Sequence, residues 1–145
     1  MQRNLRRALL AKLKADADLI ALVPAASVYP QAVPGEKAWP FIKLGPPVTI
    51  PFRASCVRGS QISVDVHAFA RARIVSGQEV ETAEDHASRI GAAIEAAIDC
   101  SRLTLADGAL ARIKLTDIRL LQDEEPDAFH YFAQVNARVL APEPA

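Results

Sequence analysis

The chain has 145 residues, a length that suits one domain with a core that needs no metal or disulfide support. Seventeen basic and seventeen acidic side chains give a formal net charge of zero, which argues against a protein that works mainly by non-specific nucleic-acid binding. Cys56 and Cys100 form no zinc or redox motif, so we favour free thiols over a disulfide, and no apolar run is long enough to span a membrane.

The first predicted element is an amphipathic helix over residues 2–14, in which Leu5, Leu9 and Leu13 recur at helical spacing. Seven of the ten prolines lie in residues 24–60 and exclude a long helix there. We expect short strands around residues 27–29 and 41–44, with proline at their ends. Residues 45–59 are then predicted to form a long loop that carries Arg53 and Arg58 and no acidic side chain.

The clearest strand pattern covers residues 61–70, where polar and apolar side chains alternate. Asp65 and His67 project from the polar side together with Ser63, so a small hydrolase that uses Asp65 and His67 is one hypothesis. Side chains on the same face of one strand stand parallel, however, and cannot converge on one reacting atom. The preferred interpretation is a strand face that is exposed or faces another subunit.

A second helix is predicted over residues 76–99, opened by a capping box at Ser76 and Glu79. His86 is expected on its solvated side. Two strands follow, over residues 109–121 and 128–140, and they should pair as a hairpin. The apolar phase of the first of these strands shifts along its length, which predicts a bulge near Thr116 and Asp117.

The predicted fold is α+β, with a mostly antiparallel sheet of about four strands and two main helices packed on one face. We assign residues 1–140 to a single domain and residues 141–145 to a disordered tail. The sequence contains no glycine-rich phosphate loop, no nucleophile elbow and no zinc-binding histidine motif. We therefore predict no enzyme activity, no catalytic residues, no metal and no cofactor.

Several short blocks of the sequence resemble the tail completion proteins of tailed phages and prophages, which are also called tail terminators or head-to-tail joining proteins. The first block is LRRALLAKLKADADLIALV at residues 5–23, followed by the short segment VYP at residues 28–30. The others are WPFIKLG at residues 39–45 and VDV at residues 64–66. Together with the second helix and the terminal hairpin, these blocks extend the resemblance over nearly the whole chain.

The resemblance implies a structural virion protein that caps the tail tube as a ring, commonly a hexamer, and joins the tail to the head connector. Its partners would be further copies of itself, the tail tube protein and the connector protein, with transient contact to passing DNA and none with a membrane. It would act in the virion tail or neck after assembly in the cytoplasm of the bacterial host. No catalysis is implied.

The placement of charge suggests how such a ring could form, because a basic first helix and an acidic second helix allow head-to-tail packing. The residues assigned to this subunit interface are Arg3, Arg6, Arg7, Glu81, Glu84 and Asp85. Arg53 and Arg58 are assigned to a loop that faces the lumen of the ring or a partner. The alternative to a ring protein is a monomeric adaptor that binds a partner by adding a strand to a sheet edge.

Overall fold

The computed structural model describes residues 1–141, which form three helices packed on a curled, seven-stranded sheet. The helices are α1 (Gln2–Ala15), α2 (Ala17–Leu22) and α3 (Ala83–Ile98). The strands are β1 (Val28–Tyr29), β2 (Phe41–Leu44), β3 (Val48–Ala54), β4 (Val57–Arg71), β5 (Arg73–Val75), β6 (Gln78–Glu81), β7 (Arg102–Thr104), β8 (Leu110–Gln122) and β9 (Ala128–Leu140). Strands β5 and β6 form a separate two-stranded sheet.

The main sheet has the strand order β1-β2-β4-β9-β8-β7, and β3 also pairs with β4. Its β1–β2 pair is parallel and its other pairs are antiparallel. The prediction of a mostly antiparallel sheet of about four strands was therefore wrong. The sheet is mixed, has six to seven strands and curls into a half-barrel, with 45% of the chain in strands and 28% in helices.

One of the extra strands comes from the proline-rich part of the chain. Residues 45–59, predicted as a long loop, contain β3 and the start of β4, which pair as a hairpin from Val48↔Ser63 to Ala54↔Val57. Pro51 lies within β3 because β3 is an edge strand, where one side of the backbone needs no hydrogen-bond donor. Proline therefore excluded a helix there but did not exclude a strand.

The second helix begins later than predicted, because the capping-box pattern belongs to a hairpin turn. Ser76 and Gly77 have φ angles of 52° and 77° and connect β5 to β6. Positive φ at both central positions is typical of a type I′ turn. Helix α3 instead begins after Thr82, whose hydroxyl accepts a hydrogen bond from the Asp85 N–H at 3.1 Å.

The first helix and the last two strands lie where the sequence pattern predicts them. The register of β8 against β9 shifts between Leu115 and Asp117, which confirms the predicted bulge. The helices cover one face of the sheet, here called the inner face, and meet the buried even-numbered side chains of β4 from Ile62 to Ala68. The opposite face, which carries Asp65 and His67, is called the outer face.

Leucines at every fourth position of α1 are fully buried in the single core, as are Ile90, Ile94 and Ile98 of α3. Of the predicted tail, only Ala141 is described, and its N–H donates to the Arg58 carbonyl at 2.9 Å. Residues 142–145 lie outside the described residues. Within residues 1–141, no helix combines the length and the apolar character that a membrane span requires.

Candidate functional site

The outer face carries an aromatic cluster built around a histidine pair. His67 of β4 and His130 of β9 are separated by 63 positions in the sequence, and β4–β9 pairing brings His67 Nδ1 to 2.6 Å from His130 Nε2. The rings of Phe69 and Phe132 lie against this pair. Burial, with the nearby charges of His130 and Lys43, lowers the pKa of His67 to about 4.

Around Asp65 and His67, the structure does not assemble the hydrolase arrangement considered from the sequence. Ser63 Oγ donates to Asn136 Oδ1 at 2.8 Å and therefore does not serve as a nucleophile bonded to His67. The Nδ1 atom of His67 is engaged with another imidazole rather than with a carboxylate. The backbone of Gly45 packs closely against Asp65 and His67. Burial raises the pKa of Asp65.

We expect the histidine pair to make folding stability depend on pH. The pKa of His67 is lowered in the folded protein, so between pH 6.5 and 4 the unfolded chain binds a proton that the folded protein does not. The free energy of unfolding is therefore at its full value above pH 6.5 and falls as pH is lowered towards 4. Solvent screens these partly buried rings, so we expect a loss of roughly 1–2 kcal/mol. Urea unfolding at several pH values between 7 and 4 measures this loss of unfolding free energy, with the double variant His67→Gln, His130→Gln as the reference. Equal slopes in both proteins would contradict the expectation.

An acidic turn connects β8 to β9 and defines one end of the sheet, here called the acidic end. Its carboxylates are Asp123, Glu124, Glu125 and Asp127. Arg71 pairs with Glu125 and lies 3.7 Å from Asp127, and its guanidinium stacks 4.2 Å above the ring of Trp39. His86 Nδ1 lies 2.8 Å from the Arg71 carbonyl oxygen, so the start of α3 is at this end too. His86 is 6% exposed, and its predicted position in solvent was therefore wrong.

The opposite end of the sheet, at Gly59 and Leu140, is here called the basic end. Arg53 and Arg58 are direct cross-strand partners near the tip of the β3–β4 hairpin, and both are exposed. The first turn of α1 reaches this end, because Gln2 Nε2 donates to Thr49 Oγ1 at 3.0 Å. Arg3 and Arg7 are exposed, whereas Arg6 is partly buried.

A row of three arginines crosses the outer face at the basic end, and sequence reasoning missed it. Arg102 in β7 is the register partner of Arg112 in β8, which is the partner of Arg138 in β9. Lys114 lies on the same face, two residues further along β8. We call these four side chains the basic row. All four are exposed, and within residues 1–141 none of them takes part in an ion pair.

The acids predicted at the subunit interface differ in their surroundings. Glu81 accepts two hydrogen bonds of 2.8 Å from the Arg89 guanidinium and lies 3.7 Å from Arg73, and the bonds from Arg89 lower its pKa. Glu84 and Asp85 are exposed at the start of α3. Cys56 and Cys100 are both exposed and free. Within the described part of the chain, no three histidine, cysteine or acidic side chains gather as a metal site would require.

Comparisons with known proteins identify the class to which this fold belongs. The structure matches a chain of a solved structure titled "Virion of native gene transfer agent (GTA) particle", with a TM-score of 0.78, 22% sequence identity and 97% of each chain covered. Residues 7–140 match the family model described as Tail completion protein gp17. No curated protein sequence shows a significant match to the chain.

The chain is therefore a structural protein of phage-type virion tails. It belongs to the tail completion protein gp17 family, whose model covers nearly its whole length, and this confirms the resemblance seen in the sequence. The family description places it in the tail of a virion.

Proposed function

We propose that this protein forms a homo-oligomeric ring, a hexamer, that caps the tail tube and joins the tail to the head connector. Membership of the tail completion family supports the place of action. In this proposal the tail tube protein and the connector protein bind opposite sides of the ring, DNA passes through its lumen, and assembly takes place in the cytoplasm of the bacterial host.

The β5–β6 hairpin is the observation that carries the proposal. It pairs with no other strand of residues 1–141 and exposes Ile74, Val75 and Val80, which are 59%, 50% and 54% accessible to solvent. A two-stranded hairpin is at best marginally stable alone, and a cluster of exposed branched side chains typically marks a surface that another protein covers. The hairpin is thus suited to contact a neighbour in the virion.

Charge separation along the sheet supports packing of copies head to tail. Arg3, Arg6 and Arg7 lie towards the basic end, whereas Glu84 and Asp85 lie at the acidic end. When copies are related by rotation about a ring axis, one surface of each subunit contacts a different surface of the next subunit. Glu81 contributes less to this interface than the other two acids, because Arg89 already neutralises it.

Solution mass by light scattering, with negative-stain images of the same fraction, tests the ring directly. The expected result is a species of six times the 15.6 kDa chain mass with annular particles. A strictly monomeric protein that also fails to form rings on purified tail tubes would contradict the proposal.

We expect the double variant Arg53→Glu, Arg58→Glu to keep its fold but to lose most of its ability to join heads to tails. Both side chains are exposed and face each other across the β3–β4 hairpin, so they can form a positive surface in the lumen or towards a partner. In vitro joining of purified heads and tails measures the effect, for which we expect more than about tenfold. The variant Lys12→Glu, Lys14→Glu is the control, because it reverses two exposed basic charges elsewhere on the chain. Equal joining by both variants would contradict the assignment of Arg53 and Arg58 to the lumen.

The open edge of β8 favours the adaptor as the second candidate. Strand β7 pairs only with Leu110–Arg112, which leaves the remainder of β8 without a strand on that side within residues 1–141. A partner could add a strand there. A monomer that binds one partner in a one-to-one complex, and binds no tail tube, would favour this function over the ring.

A further inference from the structure

The basic row is unfavourable in an isolated chain. Arg102, Arg112 and Arg138 stand on three neighbouring strands about 4.8 Å apart, so the charges occupy a strip roughly 10 Å wide. Like charges directly opposite each other across a ladder repel and destabilise the pairing. An anionic partner that docks on the strip would remove this repulsion.

The surroundings of the basic row suit carboxylates. A groove of about 520 Å³ beside the row is lined by all four of its side chains and by Gln61, Thr116 and Asn136. The Gln61 amide can donate a hydrogen bond to the same anion that the guanidinium groups attract, whereas the Asn136 amide already donates to the Thr116 hydroxyl. Arginine binds planar carboxylates in two-point contacts, so the strip can hold more than one acidic side chain.

The same chain carries a matching anionic element at the acidic end. The turn between β8 and β9 has four carboxylates within five residues. Arg71 pairs with Glu125 and Asp127, whereas Asp123 and Glu124 take part in no ion pair within residues 1–141. The turn therefore presents net negative charge that its own chain does not neutralise.

A chain cannot bring its own turn to its own basic row. Strand β8 runs without interruption from Leu110 to Gln122 and is paired along its length with β9. Arg112 and Asp123 are eleven residues apart, which corresponds to roughly 35 Å of extended strand. Any contact between the turn and the row therefore joins two copies.

We propose that the acidic turn at residues 123–127 of one copy docks on the basic row of the next copy. This inference rests on the proposed ring and names a contact that holds it together. Such a contact is heterologous, because it uses different surfaces on the two subunits, and repeated rotation closes it into a ring. We favour a second copy over nucleic acid as the partner that binds the basic row. The chain has no net charge, and the acidic turn of another copy supplies the anionic surface that the row requires.

Disulfide trapping tests this contact even when association is weak. Cys100 is exposed and lines the groove beside the row. The variant Cys56→Ser, Pro126→Cys places a thiol in the turn and keeps all four carboxylates. We expect covalent oligomers on a non-reducing gel after mild oxidation, at least fivefold above the control Cys56→Ser, Ala11→Cys. Their yield should fall as the salt concentration rises, because screening weakens the attraction.

Charge-reversal variants provide a second test of the contact. Arg112→Glu with Arg138→Glu should abolish trapping in the Cys56→Ser, Pro126→Cys protein, and Asp123→Lys with Glu124→Lys should do the same. A one-to-one mixture of the two reversed proteins should restore trapping, since the unaltered turn of one protein then meets the unaltered row of the other. Trapping no greater than in the Ala11→Cys control, or trapping that survives both reversals, would overturn the proposed contact.

The outcomes separate this contact from the ring itself. A wild-type ring whose mass is unchanged by the Arg112→Glu, Arg138→Glu reversal would leave the ring in place and refute the contact. Wild-type protein that forms no ring, together with specific trapping of the Cys56→Ser, Pro126→Cys variant through Cys100, would uphold the contact and refute the ring. If the reversal leaves trapping intact and removes binding of duplex DNA instead, the basic row is a nucleic-acid surface and the proposal is wrong.

Discussion

Replacement of Gly91 by alanine is expected to lower the free energy of unfolding by about 1–3 kcal/mol. Gly91 is buried in α3, where a Cβ atom would lie 2.8 Å from Tyr131 Cγ and closer still to two other atoms of the ring. Tyr131 is itself only 4% exposed, so its ring has little space into which to move. The helix propensity of alanine, worth about 1 kcal/mol over glycine, offsets only part of this clash.

Chemical denaturation of the Gly91→Ala variant measures the effect. Ala92→Gly, at the neighbouring exposed position, is the control that reports helix propensity alone. In a Tyr131→Ala background the clash is absent, and there the Gly91→Ala change should be neutral or stabilising. A Gly91→Ala protein more stable than the wild type would show that α3 and β9 do not pack as described.

Replacement of Ile74 and Val80 by serine is expected to weaken head–tail joining strongly and leave the fold intact. Both side chains are more than half exposed on the β5–β6 hairpin, so the isolated chain should change in stability by less than about 0.5 kcal/mol. If a neighbour covers the hairpin in the virion, each side chain contributes about 1–1.5 kcal/mol to that contact, roughly half the value for burial from full exposure. Their joint loss should weaken joining by about thirtyfold or more.

In vitro joining of heads to tails, together with thermal melting of the variant, checks this expectation. The control is Ile118→Ser with Leu121→Ser, which removes two exposed apolar side chains from β8 instead. Undiminished joining by the hairpin variant, or an equal loss in the control, would show that the hairpin is not the specific contact that the proposed function requires.

The sequence predicts local structure best where the spacing of apolar side chains fits only one kind of secondary structure. Leucines at helical spacing in α1 and the alternation in β4 and β9 place these elements nearly where they are observed. Ser76 to Glu79 shows how a local pattern fails. The same four residues fit a helix cap and a hairpin turn, and the flanking Ile74, Val75 and Val80 favour the hairpin, which only the folded backbone reveals.

The candidate surfaces depended on strand register, which a single sequence does not specify. His67 and His130 are 63 positions apart, and Arg102 belongs to a strand, β7, that the sequence pattern did not predict. The predicted hairpin of β8 and β9 did not specify which residues pair across it. A shift of one residue in register would turn every side chain of a strand to the other face. The alternation in β8 and β9 could have assigned Arg112 and Arg138 to an exposed face, but could not show that they are neighbours.

The sequence by itself determined the helical periodicity of α1, the two-faced pattern of the long strands and the blocks that mark a tail completion protein. Each of these depends on residues close together in the chain, where side-chain period and backbone preference act directly. The tertiary structure alone decided the mixed sheet, the partly buried histidine pair and the basic row. Those features need backbone pairing between distant segments, and the free energy of that pairing comes from the burial of the whole core rather than from any local pattern.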